Sequence, residues 1–141
     1  MFLFIYTRTF SNMEEKCVFC QIIAGKIPSY KIYEDTNYLA FLDIQPISLG
    51  HTLVVPKKHA LDILHSSTTD RAGLLEIASK ITPPILAGVK ATAFNIGINT
   101  GKDAGQIVFH THLHIIPRFP QDGIKSWGTS VHTKPDLDAI A

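Results

Sequence analysis

The spacing of apolar and polar positions changes several times along the chain, and each change predicts an element. Residues 31–42 carry two β-favouring runs, Ile32-Tyr33 and Tyr38-Leu39-Ala40-Phe41-Leu42, split by Asp35-Thr36-Asn37, which predicts two strands around a turn. Thr52-Leu53-Val54-Val55 is a third short apolar run. Gly50 precedes it and Pro56 closes it, and because proline has no N–H for a ladder the strand should stop there. After Ser67 the period lengthens: Leu74, Leu75, Ile77, Ala78 and Ile81 follow Ser, Thr and Asp N-cap candidates at helical spacing. Pro83-Pro84 should kink or break that helix, since an interior proline removes a hydrogen bond and costs about 3 kcal/mol or more. β-like sequence resumes at 93–98, passes through a loop at 99–105 and returns at 107–116. Short strands beside one long helix, with a short N-terminal helix ahead of them, predict an α+β domain built on an antiparallel sheet of about five strands.

Composition narrows the class. A chain of 141 residues, 45% hydrophobic and 18% charged, is an ordinary globular chain of one-domain size. Thirteen basic residues against twelve acidic ones leave a net charge of +1. No block of like charge is suited to a nucleic-acid backbone or an anionic membrane, so neither is expected as a partner. No apolar run approaches the roughly 18–20 residues that span a bilayer. Residues 1–12 stand apart as a leader, leaving 13–141 as a single domain. Phe2-Leu3-Phe4-Ile5-Tyr6 is apolar, but its basic residue Arg8 follows it and no small-residue cleavage site is present, which makes a poor secretory signal. Its lack of acidic residues leaves organelle targeting as the alternative to a plain extension.

His110-Thr111-His112-Leu113-His114-Ile115-Ile116-Pro117-Arg118 is the most informative stretch. In a strand, alternation puts His110, His112 and His114 on one face, at intervals of about 6.6–6.8 Å, and Thr111, Leu113 and Ile115 on the other. A solvated polar face is the plain alternative, but Thr, Lys or Glu would serve it more naturally than three imidazoles. The loop that feeds the ladder, from Asn99 to Gln106, contains Gly101 and Gly105. Such loops turn successive backbone N–H groups toward an anion, which implies a phosphate.

Residues 105–118, Gly-Gln-Ile-Val-Phe-His-Thr-His-Leu-His-Ile-Ile-Pro-Arg, resemble the signature of the histidine-triad family. The likeness extends from Cys17 to Arg118 and takes in Phe41-Leu42-Asp43-Ile44-Gln45-Pro46, the run Gly50 to His59, and Asn95-Ile96-Gly97-Ile98-Asn99. It is greatest to the branch that contains the nucleoside phosphoramidate hydrolases. The resemblance implies that His112 is a nucleophile toward the α-phosphorus of a purine nucleotide. His114, Asn99 and Gly105 would hold the phosphate, with Gln106 near the scissile bond and His51 beside the triad as a fourth histidine. Asp43 would take the ribose hydroxyls, and Ile44 and Ile22 would contact the base. Neutral imidazole suits the nucleophile's role near neutral pH, and the carbonyl of His110 is the expected acceptor that fixes the tautomer of His112. Some members place serine at the position of Ile107, which cannot relay a proton to a leaving group.

Cys17-Val18-Phe19-Cys20 is the only cysteine pair. A C-x-x-C turn is a common half-site for zinc, but two reduced thiols or a redox pair would look the same. The resemblance completes the set with His59 and His110, a Cys2His2 structural zinc site. Two adjacent cysteines do not suggest a secreted disulfide framework, so the cytoplasm is the expected compartment. The favoured activity is hydrolysis of a nucleoside phosphoramidate or nucleotidylated amine through a nucleotidyl-histidine. The alternatives are dinucleoside polyphosphate hydrolysis or nucleotide transfer at the same site, or a non-catalytic nucleotide-binding scaffold. A homodimer is expected from the family alone. His65 and His132 carry no motif and should lie on the surface, and Trp127 should be a packing or interface anchor.

Overall fold

Asp35 folds the first hairpin: its Oδ1 accepts from the backbone N–H groups of Asn37 and Tyr38 at 2.8 and 2.7 Å. This Asx turn lets β1 (Lys31–Glu34) and β2 (Tyr38–Leu42) pair antiparallel around Asp35-Thr36-Asn37. The computed structural model describes residues 12–125. Most of the leader, Trp127 and His132 lie outside the described residues. With β3 (Thr52–Pro56), β4 (Ala93–Gly97) and β5 (Leu113–Arg118), the strands form one five-stranded sheet in the order β1-β2-β3-β5-β4, every neighbouring pair antiparallel. The α+β class and the five-stranded sheet expected from the sequence are present.

Both faces of the sheet are covered. Helix α1 (Val18–Ile23) and helix α2 (Thr68–Val89) lie on opposite sides. Tyr38, Ala40, Val54, Leu113 and Ile115 pack with Leu74, Ile77, Ala78 and Ile81 of α2. The alternate residues Leu39, Phe41, Leu53 and Val55 pack with Phe19 and Ile22 of α1. This is strand alternation with two occupied faces, and it leaves His114, between Leu113 and Ile115, on the α1 side. Gly73 lets α2 approach β2 closely: a Cβ there would fall 1.8 Å from the Tyr38 hydroxyl.

Helix α2 differs from expectation, running unbroken through Pro83 and Pro84. Both prolines are exposed, so the carbonyls of Ser79 and Lys80 that lose their amide partners face water, where solvent satisfies them. On the buried side Thr82 Oγ1 donates to the Ala78 carbonyl at 2.7 Å and keeps that flank bonded. By length and composition α2 is apolar enough to cross a membrane, with a mean hydropathy of 1.2. Here its apolar stripe lies on the sheet.

The ladder strand is also shorter than expected. β5 starts at Leu113, so His110 and His112 precede it on an irregular segment. Two bonds divert this segment from the sheet: the Thr111 N–H donates to the Ala60 carbonyl at 2.8 Å, and the Pro56 carbonyl, at the end of β3, takes a side-chain proton from His110 at 2.7 Å.

Candidate active site

The site lies on the α1 face, where the start of β5 meets the loop before β3. His112 Nδ1 donates to the His110 carbonyl at 2.7 Å, leaving the lone pair on Nε2. His114 is oriented by a chain of three groups. The Ile47 N–H donates to His51 Nδ1 at 3.1 Å, which puts the proton of His51 on Nε2; that Nε2–H donates to His114 Nδ1 at 2.9 Å. His114 therefore carries its own proton on Nε2, a buried donor with no partner among the described residues. The His112 and His114 rings lie 4.9 Å apart between centroids, closer than regular strand spacing, in an edge-on arrangement with 63° between their planes. One bare imidazole nitrogen and one unused N–H thus sit on neighbouring rings.

Burial favours the neutral form of every ring here. It lowers the His112 pKa, against the opposing pull of the His110 carbonyl and Asp43. It lowers His51 likewise, opposed by Asp43. His114 is pushed down to about 4 by burial and then by the neighbouring His112 and His51. Burial thus favours a neutral nucleophile on His112 and a neutral hydrogen-bond donor on His114.

Around them, Asp43 Oδ1 is taken by the Gln45 N–H at 2.8 Å, while Oδ2 stands 3.7 Å from His51 Nε2. Ile44 is 88% exposed, whereas Ile22 is buried beside Phe19 and Phe41. Asn99 lines a cavity of about 230 Å³ together with His114, Ile47, Asn95 and Lys125. Gly105 has φ +89° and lies against Asn99, whose amide nitrogen is 3.5 Å from where a Cβ would be. Gln106 is fully engaged by backbone: Oε1 accepts from the Gly101 N–H at 2.8 Å, and Nε2 donates to the Leu61 and Val108 carbonyls at 2.7 and 3.2 Å. In this state its amide clasps the glycine loop and has no N–H left for a ligand.

The His110 ring turns away from His112 toward Cys17, Cys20 and His59. His110 Nδ1 lies 3.6 Å from Cys17 Sγ, 3.5 Å from Cys20 Sγ and 3.2 Å from His59 Nδ1, and Cys20 Sγ is 3.3 Å from His59 Nδ1. A zinc tetrahedron with the usual Zn–N and Zn–S bond lengths has N···S edges of about 3.6 Å and N···N edges of about 3.3 Å, so the donor set fits such an ion. His110 Nε2–H is held on Pro56, which leaves Nδ1 bare for a metal. Burial, followed by the bond and charge of Cys17, pushes the Cys20 thiol up to about 12. A cation would reverse that by drawing off the proton. Asp43, His51 and His114 also cluster closely. There the Ile47 N–H occupies His51 Nδ1 and forces a proton onto Nε2, the atom a cation would need, so that group works as a relay.

Two contributors carried no recognisable signal in the sequence. Phe19 sets its ring edge-on to His112 at 5.1 Å and near His110 at 6.0 Å; its place between the two cysteines was the available hint. Ser66 Oγ bonds Thr111 Oγ1 at 2.7 Å and ties the histidine segment to the entry of α2. His65 is 61% exposed and bonded to Asp62.

Residues 24–121 match the HIT domain. Among curated relatives, adenylylsulfatase HINT3 of Arabidopsis thaliana is 39% identical over 112 residues, which are 79% of this chain and 57% of that protein. Among solved structures, SMU.412c of Streptococcus mutans UA159 is 42% identical with a TM-score of 0.81, covering 89% of this chain and 78% of that one. A zinc-bound histidine triad family protein of Mycobacterium smegmatis is 40% identical with a TM-score of 0.76, covering 89% and 88%. With the fold, the histidine segment and these likenesses in agreement, the chain belongs to the HIT domain family.

Proposed function

We propose that this protein is a nucleotide hydrolase or transferase that cleaves at the α-phosphorus of a nucleoside phosphoramidate or nucleotidylated amine, through a nucleotidyl intermediate on His112. The observation that carries the reading is the pairing of a bare Nε2 on His112 with a buried, unpartnered Nε2–H on the adjacent His114. A nucleophile needs the first and a phosphoryl oxygen the second. The Arabidopsis relative is named an adenylylsulfatase, which supports attack at an adenylyl phosphorus.

In the first step the His112 Nε2 lone pair forms a bond to phosphorus as the P–N bond breaks in line. The departing nitrogen takes its proton from water, because Ile107 has none to give and a neutral His114 stripped of its Nε2–H would be left as an imidazolate; His114 keeps that proton and donates it as a hydrogen bond to a phosphoryl oxygen. In the second step water attacks phosphorus and releases a proton to solvent, offsetting the one taken in the first step, the N–P bond breaks, and His112 returns to its neutral form as nucleoside monophosphate leaves. His114 and Asn99 hold the phosphate beside Gly105, whose own N–H is spent on the Lys102 carbonyl at 2.9 Å, Gln106 keeps that loop in place, and His51 holds the His114 tautomer. Asp43 accepts from the ribose hydroxyls through Oδ2, and Ile22 and Ile44 bracket a purine. The domain is taken as residues 13–141, with 1–12 as leader.

Cys17, Cys20, His59 and His110 would hold a structural zinc, supported by the donor geometry and by the zinc-bound mycobacterial relative. Through those four residues a zinc would tie α1 to the histidine segment, in a structural role away from phosphorus. A homodimer is supported by the open edge of β4, which exposes Phe94 and Ile96. A reducing cytoplasm suits the thiol pair.

Adenosine phosphoramidate tests the activity. Wild-type protein releases adenosine monophosphate from it, and His112→Ala binds nucleotide without turning it over. Equal rates would favour a scaffold, and turnover only of dinucleoside polyphosphates would favour the second enzyme class.

A further inference from the structure

Residue 110 belongs to two sites at once. Its ring Nδ1 faces the cysteine pair and His59, while its carbonyl oxygen holds the His112 Nδ1–H at 2.7 Å. Among the described residues the ring's other hydrogen bond is its Nε2–H to Pro56, and the ring is buried against Phe19 and His59. Phe19 gives a second path between the sites. It lies between Cys17 and Cys20, and its ring stands at 85° to His112 and 69° to His110. Phe19 rides on α1, a helix of six residues. Isolated helices need roughly 12–15 residues to be even marginally stable, so α1 keeps its place through contacts, among them those of the cysteines at its start.

We propose that His110 is a positioning residue that makes the orientation and tautomer of His112 depend on occupancy of the Cys17, Cys20, His59 and His110 metal site. This rests on the metal-site and nucleophile readings given above. With the site filled, the His110 ring is held at both nitrogens, α1 is pinned, and the carbonyl and Phe19 present one rigid mount to His112. With the site empty, the ring keeps one hydrogen bond, to Pro56, and its packing in place of a second fixed nitrogen, the carbonyl is aimed less tightly and His112 exchanges between tautomers. Metal supply would thereby set the fraction of protein competent to attack phosphorus, although the metal never touches the substrate.

The test uses full-length protein with nitrogen-15-labelled histidines, loaded with zinc and then stripped by a chelator, at one fixed neutral pH. Loaded protein should show His112 locked with its proton on Nδ1. Stripped protein should show averaged ring shifts and a kcat about 10–100-fold lower with KM little changed, as expected when a reacting group is misplaced by about an ångström. Re-addition of zinc should restore both. His59→Ala, which keeps three ligands, should show the same His112 change following zinc at higher concentration. Unchanged His112 signals in stripped, folded protein would overturn the proposal. So would loss of the whole backbone amide spectrum in both proteins, because the metal would then hold the fold and not the ring. Metal analysis separates the readings: protein that takes up no zinc removes the metal site and the coupling together. A responsive His112 that never becomes nucleotidylated leaves the coupling standing and removes the nucleophile.

Discussion

His51 Nε2 lies 2.9 Å from His114 Nδ1, and because the Ile47 N–H occupies the far nitrogen of His51, that contact fixes where the proton of His114 resides. A backbone amide in the loop before β3 thus decides that His114 presents a donor and not a lone pair beside His112. Replacing His51 with Ala breaks the relay and strands a buried acceptor, a loss of about 1–3 kcal/mol. We expect kcat/KM to fall about tenfold to a hundredfold. Steady-state kinetics on a phosphoramidate check this, and an unchanged rate would mean that the relay is ornamental.

Acidification gives a second expectation. Burial lowers the pKa of His112 and brings that of His114 to about 4, so the folded protein stays neutral at these rings where the unfolded chain, near the ordinary histidine value of about 6.5, takes up protons. The unfolded state then binds more protons between those values, and stability falls as pH drops through that window. The contribution is complete above about 6.5 and is lost by about 4 for His114. Denaturant titrations across that range should show the decline, and the acid limb of kcat/KM should lie below the ordinary histidine range. A limb at the ordinary value would contradict the buried, neutral pair.

Gln106 gives a third. Its amide satisfies the Gly101 N–H and the Leu61 and Val108 carbonyls. Gln106→Ala should destabilise the protein by about 1–3 kcal/mol in chemical unfolding, because those groups lose their partners. Nucleotide affinity should weaken with it as the glycine loop loosens. Lost activity with stability intact would instead mean that the side chain turns toward the substrate during reaction.

The unbroken α2 gives a fourth. Pro83→Ala with Pro84→Ala restores two helix donors on an exposed face. The gain should be about 2 kcal/mol or more in urea unfolding, since proline is about 3 kcal/mol worse than alanine in a helix interior. A less stable double variant would show that the prolines fit a bend the helix needs.

The sheet was legible in the sequence because Asp35, Gly50 and Pro56 punctuate its strands and alternation fills both faces. Two features were not. The helix outlasts Pro83-Pro84 because exposure supplies water to the freed carbonyls, and a proline's exposure is not written in its neighbours. The triad does not form one ladder because Thr111 and His110 bond to Ala60 and Pro56, contacts some fifty residues apart in sequence. The histidines themselves were evident from spacing, and their grouping with Cys17, Cys20 and His59 from family likeness. The tautomer chain from Ile47 and the clasp of Gln106 needed coordinates, since both depend on backbone groups that every residue carries.

The proposed reaction turns on one bond, between His112 Nε2 and phosphorus. Rapid quenching of wild-type protein with adenosine phosphoramidate, followed by peptide mass mapping, tests it directly. An adenylyl group on the peptide bearing His112, formed and discharged at rates that support turnover, is the predicted result. Turnover with no adduct, or an adduct on another residue, would contradict it.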